Sequence, residues 1–380
     1  MKILVLNYEY PPIGGGGGRV SQDLGRQFAR RGRQITVLTS HIRGLPREDW
    51  DDGVRVRRVR CLRRRADRCT VPEMFAYVAA AAGPAVALAR RWQPDLMHVH
   101  FAVPTGPVAY LVHRLTGIPY VITAHLGDVP GGVPEQTDRL FRWLRPFTVP
   151  VWRTAHTVTA VSSFVASLAE QAYAISPIVI PNGLDLSRYP SAVRRPSSPT
   201  RFVWVGRFQA QKNLLFGLRR LADVRDLGWH LDLVGDGSDR LEAEQFTRAA
   251  GLGDRVTFHG WVAPDEADRI MARADVLYVT SLSEGLSVVT IQALACGLAV
   301  VGSRIGGVAD VVEDGVNGLL CSLEDPEAFV KALRSVCEEP DMLARMKVAS
   351  RAKADRFDLE RVTDRYEEIF RTTLATARAR

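Results

Sequence analysis

Residues 281–297 place a carboxylate, a glycine turn and an apolar helix next to one another, a pattern that suits the binding of a polar ligand. Glu284 precedes Gly285, and residues 288–296 predict a helix that ends before Gly297, the usual residue type just past a helix end. Free N–H groups at such a turn, with the positive end of the helix dipole, favour an anion such as phosphate. Glu284 would repel a bare phosphate, so we expect it to accept hydrogen bonds from sugar hydroxyls; a charged loop residue without a ligand is the alternative.

Two positive side chains follow another predicted strand, over residues 202–205. Arg207 and Lys212 stand in the loop that begins at Gly206 and leads into a predicted helix. Fixed cations at such a loop would offset the charge that develops on a diphosphate leaving group.

Gly14 to Gly18 form a run of five glycines between a predicted strand at residues 2–7 and a predicted helix at residues 20–31. Such a loop lets the backbone approach a ligand closely. The match to the dinucleotide-binding fingerprint is weak, because Arg19 stands where the third glycine belongs and no acidic residue follows near position 40. A loop that only turns the chain is the alternative.

Two successive predicted strands, residues 96–100 and 120–123, carry histidines within them or directly after them. His98 and His100 alternate with apolar residues in the strand 96–100, so we expect one of them to be a hydrogen-bonded core residue. His125 follows the predicted strand 120–123. Ligands of open α/β sheets bind beyond the carboxyl ends of the strands, which makes His125 a candidate binding residue, with a capping histidine as the alternative.

The length of 380 residues and the hydrophobic share of 46% fit two α/β domains better than a single core. The five cysteines show no pair at two-residue spacing and leave an odd one, so neither a zinc site nor a disulfide framework is expected. The aspartates of residues 49–52 predict a solvated turn rather than a metal site. The N-terminus predicts a first strand rather than a signal peptide, and the cysteines fit a reducing, cytoplasmic compartment.

The longest weakly charged apolar run, residues 74–89, is interrupted by Gly83 and Pro84. It is shorter than the ~20 residues that span a bilayer, so we expect no membrane span. Much of the net charge of +8 lies in an arginine cluster between Arg55 and Arg68. Two interpretations stay open for that cluster: a solvated face, or peripheral contact with an anionic membrane at its inner face. Nucleic acid is not expected as a partner, because no aromatic stacking pattern accompanies the arginines.

The order of predicted strands, glycine loops and helices starts twice along the chain. This restart predicts an α/β protein of two Rossmann-like domains with doubly wound parallel sheets, over residues 1–190 and 201–357. Residues 191–200 are rich in serine, proline and arginine and predict the linker. Residues 358–380 carry a final amphipathic helix.

Five motifs in this order resemble those of the family-four retaining glycosyltransferases. The resemblance covers nearly the whole chain. The motifs are Pro-Pro-x-Gly-Gly in the first loop, His125 after its strand, Pro181-Asn182-Gly183-Leu184-Asp185 before the linker, Val-Gly-Arg-x-x-x-x-Lys-Asn ending at Asn213, and Glu284-Gly285-Leu286 through Gly297.

The resemblance implies the GT-B fold, in which two Rossmann-like domains face each other across a deep cleft. It further implies a nucleotide sugar, UDP- or GDP-linked, held mainly by the C-terminal domain, and an acceptor on the N-terminal domain. That acceptor would be a glycan, a lipid-linked glycan or a small molecule. Neither a metal nor another cofactor is implied, and the last helix would pack back on the N-terminal domain.

The resemblance also implies roles for single residues. His125 would lie near the 6-position of the sugar, Arg207 and Lys212 on the phosphates, and Glu284 on sugar hydroxyls; these four form the expected catalytic set. The further residues expected to bind the donor are Gly15 and Gly16 near the diphosphate, Gly206, Gly285, Leu286, Ser287, Val288 and Gln292. Asp128 and Asn182 are expected on the acceptor side.

One position departs from the family pattern. The family usually places a second glutamate eight residues after the first, as an acceptor for ribose hydroxyls, and this chain has Gln292 there. A glutamine offers one neutral carbonyl acceptor, so we expect ribose binding about five- to tenfold weaker. By this reasoning, Gln292→Glu should tighten the nucleotide portion of the donor.

No side chain stands out as a covalent nucleophile, so we favour the front-face route that the resemblance implies, in which the leaving phosphate helps to deprotonate the acceptor. Two rival functions stay open. A nicotinamide-dependent oxidoreductase is favoured by the glycine loop but opposed by the missing third glycine. A nucleotide-sugar binding protein without turnover is favoured by Gln292.

Overall fold

A computed structural model describes residues 1–66 and 68–378, with the side chains of residues 134–140 and 378 left out of the description. The chain divides into two compact units. The first consists of Met1–Leu184 and Leu359–Arg380, and the second of Asp185–Asp358. Both units are layered α/β structures with a largely parallel sheet, which confirms the predicted fold class.

In the first unit, the described residues form an eight-stranded sheet in the order β3-β4-β2-β1-β5-β6-β7-β8. Its strands are β1 (Lys2–Leu6), β2 (Gln34–His41), β3 (Glu48–Asp51), β4 (Val54–Arg60), β5 (Leu96–His100), β6 (Tyr120–Ala124), β7 (Thr157–Ala160) and β8 (Ile178–Val179). The connecting helices are α1 (Gly16–Arg30), α2 (Val71–Trp92), α3 (Ala102–Thr116), α4 (Pro134–Thr154) and α5 (Ser163–Tyr173).

The central strand β1 is buried on both faces and is almost entirely apolar, whereas its neighbour β5 is equally buried but carries two histidines. β1 pairs in parallel with β2 on one side and β5 on the other, with Leu4 opposite Thr36 and Met97. Among the described strands, only β3 runs antiparallel, against β4. The sequence predicted a solvated turn there; instead, Asp51 accepts hydrogen bonds from Tyr10, Gln22 and Arg26, and these contacts hold the edge strand in place.

In the second unit, the described residues form a six-stranded parallel sheet in the order β11-β10-β9-β12-β13-β14. Its strands are β9 (Thr200–Val205), β10 (Trp229–Val234), β11 (Val256–Gly260), β12 (Val276–Val279), β13 (Ala299–Ser303) and β14 (Gly318–Cys321). Its helices are α6 (Leu214–Ala222), α7 (Arg240–Ala249), α8 (Pro264–Ala272), α9 (Val288–Ala295), α10 (Gly306–Ala309), α11 (Pro326–Glu338) and α12 (Pro340–Ala354).

The last helix, α13 (Leu359–Arg378), belongs to the first unit. It packs on α1, where the rings of Phe28 and Phe370 lie 5.4 Å apart. The chain leaves the first unit after Leu184, and a Cβ at the preceding Gly183 would lie 3.1 Å from the Cα of Leu359. The motif around Gly183 therefore serves the crossing point, where the N–H of Leu359 donates to the carbonyl of Leu184 over 2.9 Å.

The structure corrects the predicted boundary and one helix. The segment predicted as a linker, residues 191–200, lies inside the second unit, where the N–H of Ser197 donates to Asp275 over 3.1 Å. Helix α4 was not predicted, because Pro146 and Pro150 lie inside it and proline normally ends a helix.

Among the described residues, α2 is long and apolar enough to cross a membrane by length and composition alone. The sequence predicted no such span. In the first unit, one side of α2 is buried, at Tyr77, Ala81, Ala85, Leu88 and Ala89.

Candidate functional site

In the second unit, the loops after β9 and β12 lie side by side, because these strands are neighbours in the sheet. Several hydrogen bonds tie the two loops together. The N–H of Leu282 donates to the carbonyl of Gln211 over 2.7 Å, and the side chain of Gln211 donates to the carbonyl of Ser283 over 3.0 Å. The hydroxyl of Thr280 donates to the carbonyl of Lys212 over 3.1 Å. The predicted cation loop and the predicted carboxylate loop thus form one structure.

Lys212 and Glu284 meet in this structure. Lys212 Nζ lies 2.5 Å from Glu284 Oε1, and the hydroxyl of Ser281 donates to the same carboxylate oxygen over 2.7 Å. Glu284 is 8% exposed and the side chain of Lys212 is 22% exposed. The pair can offer a cation to an anionic ligand and a carboxylate to hydroxyl groups within a few ångströms.

Arg207 lies in the same loop, half-buried, and among the described residues it has no ion-pair partner within 4 Å. Gly206 before it donates its N–H to the carbonyl of Val234 over 2.9 Å. At Gly235 the backbone has a φ of 133°, and a Cβ there would collide with the carbonyl of Gly206. These glycines therefore allow the close backbone approach that places Arg207 at the edge of the sheet.

The helix α9 begins directly after the Glu284 loop. Ser287 is its N-cap and accepts a hydrogen bond from the N–H of Thr290 over 3.3 Å. Gly285 lies against Gly307, where a Cβ would collide with the Gly285 carbonyl oxygen. This packing fixes the turn, and Leu286 and Val288 flank the cap on either side. The N-terminus of α9 therefore follows the carboxylate, as the sequence predicted, and Gly297 lies just past its end with a φ of 69°.

Gln292 lies on α9, and its amide nitrogen donates two hydrogen bonds. One goes to the hydroxyl of Tyr189 over 3.2 Å and the other to Asp268 Oδ1 over 3.0 Å. Tyr189 and Asp268 are far apart in sequence from Gln292, so nothing in the local pattern indicated this contact.

In the first unit, the three histidines lie at neighbouring positions near the carboxyl edge of the sheet. His100 Nδ1 lies 3.1 Å from His125 Nε2, and His98 Nε2 lies 2.8 Å from the hydroxyl of Thr123. The rings of His98 and His100 are 4.3 Å apart. Burial lowers the pKa of His98 and of His125 to about 3, and it lowers the pKa of His100 well below its usual value. All three are therefore neutral near pH 7.

Two residues fix the loop that carries His125. Asp128 is fully buried and accepts hydrogen bonds from the N–H groups of His125, Leu126 and Ala102, at 2.8 to 3.0 Å. Burial raises the pKa of Asp128, while these N–H groups act in the opposite direction. The Asp128 carboxylate therefore holds the backbone of the His125 loop in place. The sequence had instead placed Asp128 on the side of the acceptor substrate.

Phe101, at the end of β5, stacks on His125 with ring centres 4.3 Å apart. Its backbone has a φ of 64°, a strained conformation for a bulky residue and one that often occurs at functional sites. A Cβ at Gly17 would lie 2.5 Å from the Phe101 ring. The glycine run therefore leaves room for the Phe101 ring beside His125. No pattern in the sequence had indicated Phe101 as a site residue.

The first glycine loop is partly occupied by the chain itself. Helix α1 begins at Gly16, inside the glycine run, so the run is only in part a loop. The N–H of Gly15 donates to Glu9 Oε2 over 3.3 Å, and Glu9 is ion-paired with the buried Arg63 over 3.4 Å. Glu9 thus accepts from the N–H of Gly15, one of the two glycines that the resemblance places near the diphosphate.

The remaining predicted features are the acceptor residue Asn182 and the arginine cluster. Asn182 is buried, directly before the crossing point to the second unit. In the cluster, Arg55 and Arg57 are ion-paired with Glu48, and Arg58 has Asp49 at 3.7 Å. The exposed members are Arg60, Arg64, Arg65 and Arg68. Across the described residues, no group of three or more His, Cys, Asp or Glu side chains is placed to hold a metal ion.

Two family descriptions match the chain. Residues 14–188 match "Glycosyltransferase Family 4", and residues 199–339 match "Glycosyl transferases group 1". The chain is 31% identical to the 2-deoxystreptamine N-acetyl-D-glucosaminyltransferase of Streptomyces fradiae, over 85% of this chain and 82% of that protein. It is 30% identical to the 2-deoxystreptamine glucosyltransferase of Streptomyces kanamyceticus, over 88% of this chain and 93% of that protein.

Solved structures share the fold. Sucrose-phosphate synthase from Thermosynechococcus elongatus matches with a TM-score of 0.86 at 20% identity, over 99% of both chains. Anabaena Alr3699/HepE in complex with UDP and glucose matches with a TM-score of 0.77 at 22% identity, over 98% of this chain and 100% of that one.

Proposed function

Because the chain belongs to the group 1 glycosyltransferases, we propose that it transfers a hexose from a UDP- or GDP-linked donor to a hydroxyl group, with retention of configuration. The observation that carries the proposal is the Lys212–Glu284 pair beside the N-terminus of α9. A cation, a carboxylate and free helix N–H groups at one place suit a sugar joined to a diphosphate. Family membership argues against the nicotinamide-dependent oxidoreductase.

The proposed reaction takes place on one face of the sugar. The bond between C1 and the phosphate oxygen breaks, the acceptor oxygen bonds to C1 on the same side, and the acceptor proton passes to the leaving phosphate. Arg207 and Lys212 stabilise the negative charge on that phosphate. Glu284 and the neutral His125 bind sugar hydroxyls, the latter at the 6-position. None of these steps uses a metal.

The names of similar proteins support particular substrates. Anabaena Alr3699/HepE was solved with UDP and glucose, which supports a uridine-linked hexose as donor. The two Streptomyces relatives are named for transfer to 2-deoxystreptamine, a small molecule, which supports a small polyhydroxylated acceptor. A glycan or lipid-linked glycan is the other acceptor class that we propose.

We further propose a cytoplasmic site of action, with peripheral contact to an anionic membrane through the exposed arginines of residues 60–68. Leu62, which is 67% exposed, lies among them. Co-sedimentation with anionic and with neutral vesicles tests this part separately. Equal binding to both vesicle types, or none, would remove the membrane contact and leave the proposed activity standing.

Thermal stabilisation by a panel of UDP-, GDP- and ADP-sugars tests the donor, because a ligand at ~100 times its dissociation constant adds about 2.7 kcal/mol. The selected donor is then incubated with candidate acceptors, and the anomeric configuration of the product is read by NMR. An inverted product would refute retention. Donor binding with neither transfer nor slow donor hydrolysis would instead favour a binding protein without turnover.

A further inference from the structure

A network of hydrogen bonds beside Arg188, whose Nη2 lies 3.9 Å from Asp268 Oδ2, holds the side chain of Gln292. Its amide nitrogen donates to Tyr189 and to Asp268, and the hydroxyl of Tyr189 donates to the same carboxylate, 3.2 Å from each oxygen. Tyr189 is 8% exposed and the side chain of Asp268 is 16% exposed, so water has little access to these contacts.

The carboxylate of Asp268 determines the orientation of the Gln292 amide. A carboxylate has only acceptor atoms, so it attracts the amide nitrogen and repels the amide oxygen. Both amide protons are then used within the network. Gln292 Oε1 has no hydrogen-bond partner among the residues that the structure describes, and Gln292 is only half-buried. The residue therefore presents one neutral acceptor away from Asp268.

We infer that Asp268 and Tyr189 are positioning residues, which hold Gln292 so that its carbonyl oxygen accepts a hydrogen bond from a ribose hydroxyl of the donor nucleotide. This inference rests on the proposed function, because it needs a nucleotide at α9. The ligand chemistry is a neutral hydroxyl donor, which a single carbonyl oxygen can bind.

The inference reverses the expectation that Gln292→Glu tightens nucleotide binding. A glutamate would bring a second carboxylate to the place where the amide nitrogen lies 3.0 Å from Asp268. Two carboxylates at that distance repel each other, so at neutral pH the ionised side chain would turn away from Asp268. This rotation removes the oriented acceptor, whereas uptake of a proton, which would keep it in place, costs free energy at that pH.

A double-mutant cycle tests the inference by calorimetric titration. The variants are Gln292→Glu, Asp268→Asn and the double variant, and the probes are UDP and 2′,3′-dideoxy-UDP, or the ADP or GDP pair if the donor panel selects that base. We expect Gln292→Glu to weaken UDP about tenfold, a free-energy change of about 1.4 kcal/mol. The double variant should bind UDP at least as tightly as the wild type, because the asparagine introduced at position 268 can donate to the glutamate introduced at position 292.

Two controls separate positioning from general damage. Affinity for dideoxy-UDP should stay within about twofold in every variant, since this probe lacks both ribose hydroxyls. Glu266→Gln removes a charge from the same helix, at a side chain that is 42% exposed and paired with Arg269, and it should leave UDP affinity unchanged. If Gln292→Glu does not fold, Asp268→Ala replaces it: the released amide should weaken UDP a few-fold and leave dideoxy-UDP unaffected.

Three results would overturn the inference alone: tighter UDP binding by Gln292→Glu, additive effects in the double variant, or equal losses for both probes. A wild-type protein that binds no nucleoside diphosphate would overturn the proposed function and the inference together.

Discussion

The polar groups at the carboxyl edges of the two sheets differ in kind. In the first unit, His98, His100 and His125 are buried, neutral and bonded to one another or to Thr123. In the second unit, Lys212 and Glu284 form an ion pair that is partly open to solvent. A neutral, dry set of rings suits a hydroxyl group, whereas a solvated charge pair can rearrange around a phosphate. The comparison supports the proposal that the second unit stabilises the charge of the leaving phosphate.

The largest effect is expected from Lys212→Ala and from Arg207→Ala. Each should lower turnover by about a hundredfold or more, because a charge contact in the transition state is commonly worth ~3 kcal/mol. Lys331→Ala, which removes an exposed lysine of α11, is the matched control. Steady-state kinetics with the selected donor measures this, and near-normal turnover in both site variants would place the phosphates elsewhere.

Glu284→Gln should weaken the intact sugar donor by about tenfold, the loss of one charged hydrogen bond to a hydroxyl. Free UDP should bind as tightly as before or more tightly, because Lys212 would no longer be ion-paired with Glu284. Calorimetric titration with UDP-hexose and UDP separates the two effects. Equal losses for both ligands would show that Glu284 contacts the nucleotide instead.

His100→Phe keeps a ring beside His98 but removes the partner of His125 Nε2. We expect catalytic efficiency to fall about fivefold with a hexose donor and to stay unchanged with its 6-deoxy analogue, if His125 binds the 6-hydroxyl. His100→Gln should recover part of the loss, since an amide can still hydrogen-bond to the imidazole. A loss of the same size with both donors would indicate structural damage rather than positioning.

Stability should fall as the pH drops below about 6.5 because of the three buried histidines. Their pKa values are depressed in the folded protein, so the unfolded chain takes up protons first, and stability is lost as the pH falls from the unfolded pKa of ~6.5 toward the folded value. Between pH 7 and pH 5 the burial of His98 and of His125 should each cost about 2 kcal/mol of stability, and His100 should add to the loss in the same direction. Urea unfolding at pH 7 and at pH 5 measures the loss of stability. The His98→Gln protein should lose less stability over that interval. An identical loss would contradict the burial argument.

A chelator should have no effect at all on transfer. Among the described residues no cluster suits a metal, and the proposed reaction stabilises the leaving phosphate with Arg207 and Lys212. Turnover is measured in EDTA and after addition of magnesium or manganese. Loss of activity that either ion restores would contradict the metal-free mechanism.

The sequence predicted the elements better than the contacts between them. The restart of the strand and helix pattern gave the two parallel sheets, and the ranges of α6, β13 and β14 agree with the predicted ones, because short apolar runs between glycines are locally encoded. Helix α4 was missed because tertiary packing overrides its two internal prolines.

For the site residues as well, the local motifs were predictable from the sequence, whereas the contacts between distant residues were not. The loop of Lys212 and the loop of Glu284 were each visible as local patterns, but their ion pair joins residues 72 apart in sequence. The contact between Gln292 and Asp268 depends on the packing of α8 near α9. The stacking of Phe101 on His125 depends on the neighbouring positions of β5 and β6 in the sheet. Such pairings appear only once the sheet order is known.

The return of α13 to the first unit has a consequence for synthesis on the ribosome. Leu359, Val362, Tyr366 and Phe370 belong to the same apolar core as β1, which holds Ile3 and Val5. The first unit therefore cannot complete its core until the residues of α13 have left the exit tunnel, after the whole second unit has been made. During translation the second unit can close first, while the nascent first unit still exposes the surface that α13 will cover.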